Sequence, residues 1–182
     1  MKIMKIILLS LLMPFSILAQ NITLKEGFVA AHTEMLMDST IDPLNTLLNA
    51  NVSMNKNDIL SLKGKFWIQM NQFSSDNKDR DTQMHKANKV KEFPLASFTL
   101  MDVTKNKDST YTLKGKLTFL DHTRPFQAKA EITDKDGLVS ISASSQIFAK
   151  DFGLEMPCLL FICVNEKIDL YVKAVFTTEL TY

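Results

Sequence analysis

His32, His85 and His122 are the three histidines of this 182-residue chain. An imidazole serves as a general base, a proton shuttle or a metal ligand. A metal site or a nucleophile elbow shows itself by short, recognisable spacings, and the sequence offers none. No His-x-His, His-Glu-x-x-His or Cys-x-x-Cys spacing occurs. No Gly-x-Ser-x-Gly elbow presents a nucleophile, and no Gly-rich loop cradles a phosphate. Cys163 beside a distant His would imitate a thiol hydrolase, but it sits in the apolar run CLLFICV. A thiol buried there has a raised pKa and poor reactivity. Asp121 and Asp151 complete the set of acid–base candidates, and catalysis would require that some of them meet the histidines at a cavity mouth. The expectation is therefore no catalytic residue, no metal and no cofactor.

Cys158 and Cys163 are five residues apart. In one extended strand they would stand about 16 Å apart, at ~3.3 Å per residue, and point to opposite faces. A disulfide needs Cα atoms within about 7 Å. Two free, partly buried thiols are expected, unless a tight turn separates the two.

The elements that would position these residues are strands. From Tyr111 to Gly153, apolar and polar side chains alternate. Leu113, Leu117 and Phe119 share one parity; Phe126, Ala128, Ala130 and Ile132 another; Val139, Ile141, Ala143 and Ile147 a third. A period of two places each set on one face of a strand. Turn residues at 121–125 and 134–137 separate the three runs. Elsewhere, Phe28 to Met37 reads as a first strand, and Asp42-Pro43-Leu44-Asn45 as a turn. Leu48, Ala50, Val52 and Met54 alternate with polar residues. Leu62, Gly64, Phe66, Ile68 and Met70 face one way, against Lys63, Lys65, Trp67 and Gln69. Ala96, Phe98 and Leu100 follow Phe93-Pro94, CLLFICV follows Met156-Pro157, and Ile168, Leu170, Val172, Ala174 and Phe176 alternate in a last strand. Ser74 to Asn88 alone lacks the alternation; Ser75 or Asp76 would cap a short helix there. About eight antiparallel strands and one short helix result, an all-β chain whose exposed edges a closed barrel would remove.

Several of these segments resemble the YceI-like family of lipocalin-like barrels. KGKLTFLDHTRPF followed by FAKDFGL is similar to the family's paired motif, with Gly115, Leu117, Thr118, Thr123, Arg124, Pro125, Phe126, Asp151, Phe152 and Gly153 matching. Leu120 and Asp121 replace the usual His-Gly of the turn. Asn77, Arg80 and Asp81 match an Asn-x-x-Arg-Asp segment, and FVAAHTEMLMDSTIDP is similar to the opening strand and turn of short members. The resemblance covers most of residues 28–176. It implies an exported, periplasmic or secreted barrel that binds polyisoprenoid or another lipid; the charged segment is either a helix that Arg80 and Asp81 fix over one end of the barrel or a solvated connector.

The first 19 residues read as a secretory signal: Lys2 and Lys5 form a basic head, Ile6 to Leu18 is largely apolar, and Ala19 suits the cleavage position. The apolar run is shorter than the ~20 residues a membrane span needs, so no stable membrane anchor is expected. Residues 20–182 would form a single domain, large enough for a sizeable core. Cleavage leaves 19 basic against 20 acidic residues, a net charge of −1. That argues against nucleic acid, which demands a basic footprint. A homodimer is left open.

The function then rests on the inward face. The parity places Phe66, Ile68, Met70, Phe98, Leu100, Leu117, Phe119, Phe126, Val139, Ile141 and Ala143 in the barrel interior as the ligand-binding set. A one-residue slip would put them all in water. Trp67 has the outward parity and is expected to cover a neighbouring helix or a subunit contact. An eight-stranded interior is just wide enough for packed side chains or one small ligand. Large residues alternating with Gly64, Ala96, Ala128, Ala130 and Ala143 suit a solid core in an envelope protein of structural or stress-related role. The family resemblance implies a channel instead, holding a long apolar isoprenoid or acyl chain. An enzyme acting on such a lipid is the remaining alternative.

Overall fold

The computed structural model describes residues 19–35, 39–159 and 162–178; the signal segment expected at residues 1–18 lies outside them. Twelve strands run in chain order: β1 Gln20–Met35, β2 Ser39–Ile41, β3 Leu44–Asn45, β4 Asn49–Asn55, β5 Asp58–Gln69, β6 Leu95–Lys105, β7 Tyr111–Phe119, β8 His122–Lys135, β9 Leu138–Phe148, β10 Cys158–Leu159, β11 Ile162–Cys163 and β12 Lys167–Thr177. Eight of them close a barrel. The order β12-β9-β8-β7-β6-β5-β4-β1 is antiparallel throughout, and β1 returns to pair with β12 from Thr23↔Thr177 to His32↔Asp169. Helix α1, Lys78–Ala87, crosses between β5 and β6.

Hydrophobic alternation forms these strands, as the sequence pattern requires, but two bulges shift the parity partway. Register breaks between Leu24 and Glu26 against β12, and between Leu100 and Asp102 against β7. The inward series therefore changes from Ile22 to Val29 in β1, and from Leu100 to Val103 in β6, while Met101 is pushed into solvent. One extra residue in a strand bends it and increases its twist, which a barrel needs in order to close.

Three sequence expectations are corrected. The β7–β8 turn is only Leu120-Asp121, both with positive φ, 48° and 63°. That is the two-residue geometry whose twist suits a hairpin, so Thr123, Arg124 and Pro125 lie in β8, with Pro125 opposite Lys116. Residues 42–45 do not simply turn: Leu44–Asn45 pairs with Val29 and Ala30, filling the gap where β1 leaves β4. Finally, CLLFICV is not one strand. β10 and β11 form a separate antiparallel hairpin with Cys158 opposite Cys163, and the two cysteines form a disulfide with Cα atoms 4.0 Å apart. The chain reverses between them, so the extended-strand distance that argued for free thiols does not apply.

Candidate functional site

The two ends of the barrel differ. At one end, Val52, Leu62, Leu100, Val139 and Phe176 are almost wholly excluded from solvent and fill the interior. Toward the other end, the interior opens into a cavity of about 600 Å³. Phe66 and Phe98 stack with ring centres 6.4 Å apart, Phe66 meets Phe176 edge-on at 6.1 Å, and Phe126 meets Phe98 edge-on at 5.5 Å. These rings join the filled end to the cavity. Gly115 makes the arrangement fit: a Cβ there would lie 2.0 Å from the Thr99 carbonyl oxygen and 2.8 Å from the Phe98 ring.

Nine of the eleven residues assigned inward by parity border this cavity: Phe66, Ile68, Met70, Phe98, Leu117, Phe119, Phe126, Ile141 and Ala143. Leu100 and Val139 do not; they are buried in the filled end. Trp67, half-buried between Asn49 and Ser97 on the neighbouring strands, also borders the cavity in spite of its outward parity. Sequence reasoning did not assign Val29, Ala31, Thr33 and Met35, which give β1 its cavity face. Their alternation is legible, but Ala31 and Thr33 at its centre are small or polar and weaken the apolar signal.

The rim is built from three segments. The first is α1. Asn77 caps it, its Oδ1 accepting from the Arg80 N–H, in place of the expected Ser75 or Asp76. Asp81 accepts from the Ser74 and Ser75 hydroxyls and the Ser75 N–H, each at 2.7 Å. Burial alone would raise the Asp81 pKa, but these hydrogen bonds outweigh it and hold the carboxyl below its usual value. His85 Nε2 donates to the Phe73 carbonyl at 2.9 Å. Asp81 and His85 thus tie the helix down, which leaves Arg80 exposed on the cavity border with Asn77 and Gln83.

The second segment is the bridged hairpin. Pro157, Cys158 and Val164 border the cavity, Val164 pairs with Met35, and the Asn165 N–H donates to the Glu34 carbonyl at 2.8 Å. The Thr33 hydroxyl, buried, lies 3.0 and 2.9 Å from the Asn165 and Lys167 carbonyls. The third is the stretch from Ile41 to Asn45, where Ile41 and Pro43 reach the cavity. On the cavity border, His32 bonds Asp42; that hydrogen bond raises the imidazole pKa and lowers the carboxyl's. Since Asn77, Arg80, Gln83, Pro157 and Cys158 are solvent-exposed, the cavity opens between α1 and the hairpin.

The acid–base candidates do not converge. His32 is on the cavity border, but His85, His122, Asp121 and Asp151 are not. His122 Nδ1 donates to the Leu120 carbonyl at 2.8 Å, and its ring packs on Gly153. Among the described residues, no cluster of His, Cys, Asp or Glu has a metal-holding arrangement. The segments 123–126 and 151–153 do meet, in a structural contact: Arg124 Nε donates to the Asp151 carbonyl at 3.1 Å, and Phe119 packs on Phe152 with ring centres 5.8 Å apart.

An eight-stranded closed antiparallel barrel, filled at one end and hollow at the other, is the lipocalin-like class of fold. The model of the YceI-like domain matches residues 20–176, and the chain belongs to that family. Solved structures agree on the fold. BcnA of Burkholderia cenocepacia superposes with a TM-score of 0.72 at 14% identity, over 82% of this chain and 95% of that one. A polyisoprenoid binding domain from Saccharophagus degradans gives 0.68 at 8% identity, over 87% and 98%. The YceI protein of Campylobacter jejuni gives 0.67 at 19%, over 80% and 89%. No curated protein matches the chain.

Proposed function

We propose that the protein is a non-enzymatic carrier that holds one long apolar chain, isoprenoid or acyl, inside the barrel. The observation that carries this reading is the cavity: about 600 Å³, walled by Phe, Ile, Leu, Met and Ala side chains, filled at one end and open at the other. Ligand sites typically measure about 300–1,000 Å³. At roughly 30 Å³ per water-sized group, this one takes about 20 such groups. Each buried CH₂ contributes about 0.8 kcal/mol, so a long chain binds tightly without any special polar contact. Phe66, Ile68, Met70, Phe98, Leu117, Phe119, Phe126, Ile141 and Ala143 contact the chain in this proposal, with Leu100 and Val139 supporting them from below. The naming of the Saccharophagus relative as a polyisoprenoid binding domain supports the ligand class.

The same reading makes residues 20–182 one exported domain, periplasmic or secreted. The signal-like segment at residues 1–19 supports export. So does the Cys158–Cys163 disulfide, because such bonds persist mainly in oxidising compartments. Among the described residues no helix is long and apolar enough to cross a membrane.

The test is mass spectrometry of organic extracts from protein purified without detergent. A co-purified long-chain lipid is expected. Ala143→Trp, which projects a ring into the cavity, should reduce loading several-fold, while the exposed Lys65→Ala leaves it unchanged. Overpacking costs about 1–3 kcal/mol, so circular dichroism must first establish that the variant folds. A folded Ala143→Trp protein with normal loading would remove this part of the interior from the binding path. Wild-type protein that neither co-purifies with lipid nor takes it up would end the carrier reading.

A further inference from the structure

The cavity border carries a charge bias that the apolar wall does not explain. Among the described residues, Arg80 and His32 are its ionisable side chains, and no Asp or Glu is on it. Arg80 is exposed, stands where the cavity opens, and takes part in no ion pair within 4 Å among the described residues. Its charge reaches the Asp42 carboxylate at longer range, and that carboxylate is already bonded to His32. Asp81, the adjacent carboxylate, is turned away and saturated by Ser74 and Ser75. Among the described residues nothing pairs with the guanidinium, whose planar fork of donors stands beside a hole sized for one alkyl chain. The side-chain amides of Gln83 and Asn77 flank it.

We propose that the ligand is a single-chain amphiphile with an anionic oxygen head group, carboxylate or phosphate, held at the cavity mouth by Arg80. The proposal rests on the carrier reading and adds the head group to it. A guanidinium matches the two oxygens of either group in bidentate fashion. A cationic head would meet Arg80, with no carboxylate among the described residues of the cavity border to receive it. The tail takes the apolar wall while the charge stays at the opening, where its desolvation is incomplete and its binding cost small.

The experiment compares four probes of one chain length: palmitic acid, hexadecyl phosphate, hexadecanol and hexadecylamine. Each displaces an apolar fluorophore from the mature protein below its micellar concentration, at neutral pH. Wild type should bind the acid or the phosphate at least tenfold more tightly than the alcohol, and the amine most weakly; which anion is preferred identifies the source. Arg80→Gln should erase the gap between anion and alcohol, the anion losing far more affinity than the alcohol. Lys78→Gln removes an equal charge from the same helix but away from the cavity, and should keep the gap. Equal affinity for all four probes overturns the head-group assignment and leaves the carrier reading intact. An anion preference that survives Arg80→Gln overturns it as well. Failure of every probe to displace the fluorophore overturns both.

Discussion

Asn45 has no contact with solvent, yet both ends of its side-chain amide are used. Nδ2 donates to the Gln69 carbonyl and Oδ1 accepts from the Leu47 N–H, each at 2.9 Å. The amide thus fastens β3 to the end of β5, beside the Pro43 and Ile41 wall. Removing one partner of a buried hydrogen bond leaves the other unsatisfied, at about 1–3 kcal/mol each. Asn45→Ala strands two backbone groups and should lower stability by about 2–4 kcal/mol on that scale, read from the urea midpoint at unchanged slope. A loss below 0.5 kcal/mol, roughly the level of a neutral surface substitution, would show that the amide is dispensable. The sequence points to half of this. Asn after Asp-Pro is turn chemistry, and the bond to Leu47 two residues on is the local kind such residues make. The bond to Gln69 spans 24 positions, and nothing local to Asn45 foretells it.

Elements were legible where alternation is strict, because a period of two admits one buried face. All of the β7, β8 and β9 residues expected inward are inward. They failed to be legible where a reversal lacks turn residues. Leu120-Asp121 turns the chain with a leucine at positive φ, while Thr-Arg-Pro beside it looked the better turn. Between Cys158 and Cys163 stand only Leu and Phe–Ile residues, so no composition cue separates β10 from β11. That hairpin lies outside the barrel sheet, and its disulfide closes a loop of about six residues. In the chain-entropy model such a closure is worth about 2 kcal/mol. Replacing both cysteines with serine should therefore release the hairpin while sparing the barrel. Hydrogen exchange would rise in residues 156–164 and stay slow in β5 to β9, with global stability reduced by no more than about 2 kcal/mol. Equal loss of protection throughout would mean that the hairpin is part of the barrel's cooperative unit.

At the scale of the whole molecule, closure of β1 on β12 leaves the interior accessible mainly from one side, since Val52, Leu100, Val139 and Phe176 fill the other. On the proposed carrier reading, such a vessel would act as a ruler. Along a homologous series of fatty acids, affinity should rise by about fourfold per added methylene, the equivalent of ~0.8 kcal/mol. The rise should cease once the tail reaches the Phe66–Phe176 contact, because further carbons remain in water. Calorimetric titration across the series reads the break directly, and a rise that continues well past about 20 carbons, the capacity set by ~30 Å³ per group, would show that the filled end yields. Entry and exit then share one path, and a chain that goes in tail first leaves head first. Association is set by the width of the opening and varies little along the series. Residence time carries the length dependence, so the longest chain that fits is the slowest to be handed on.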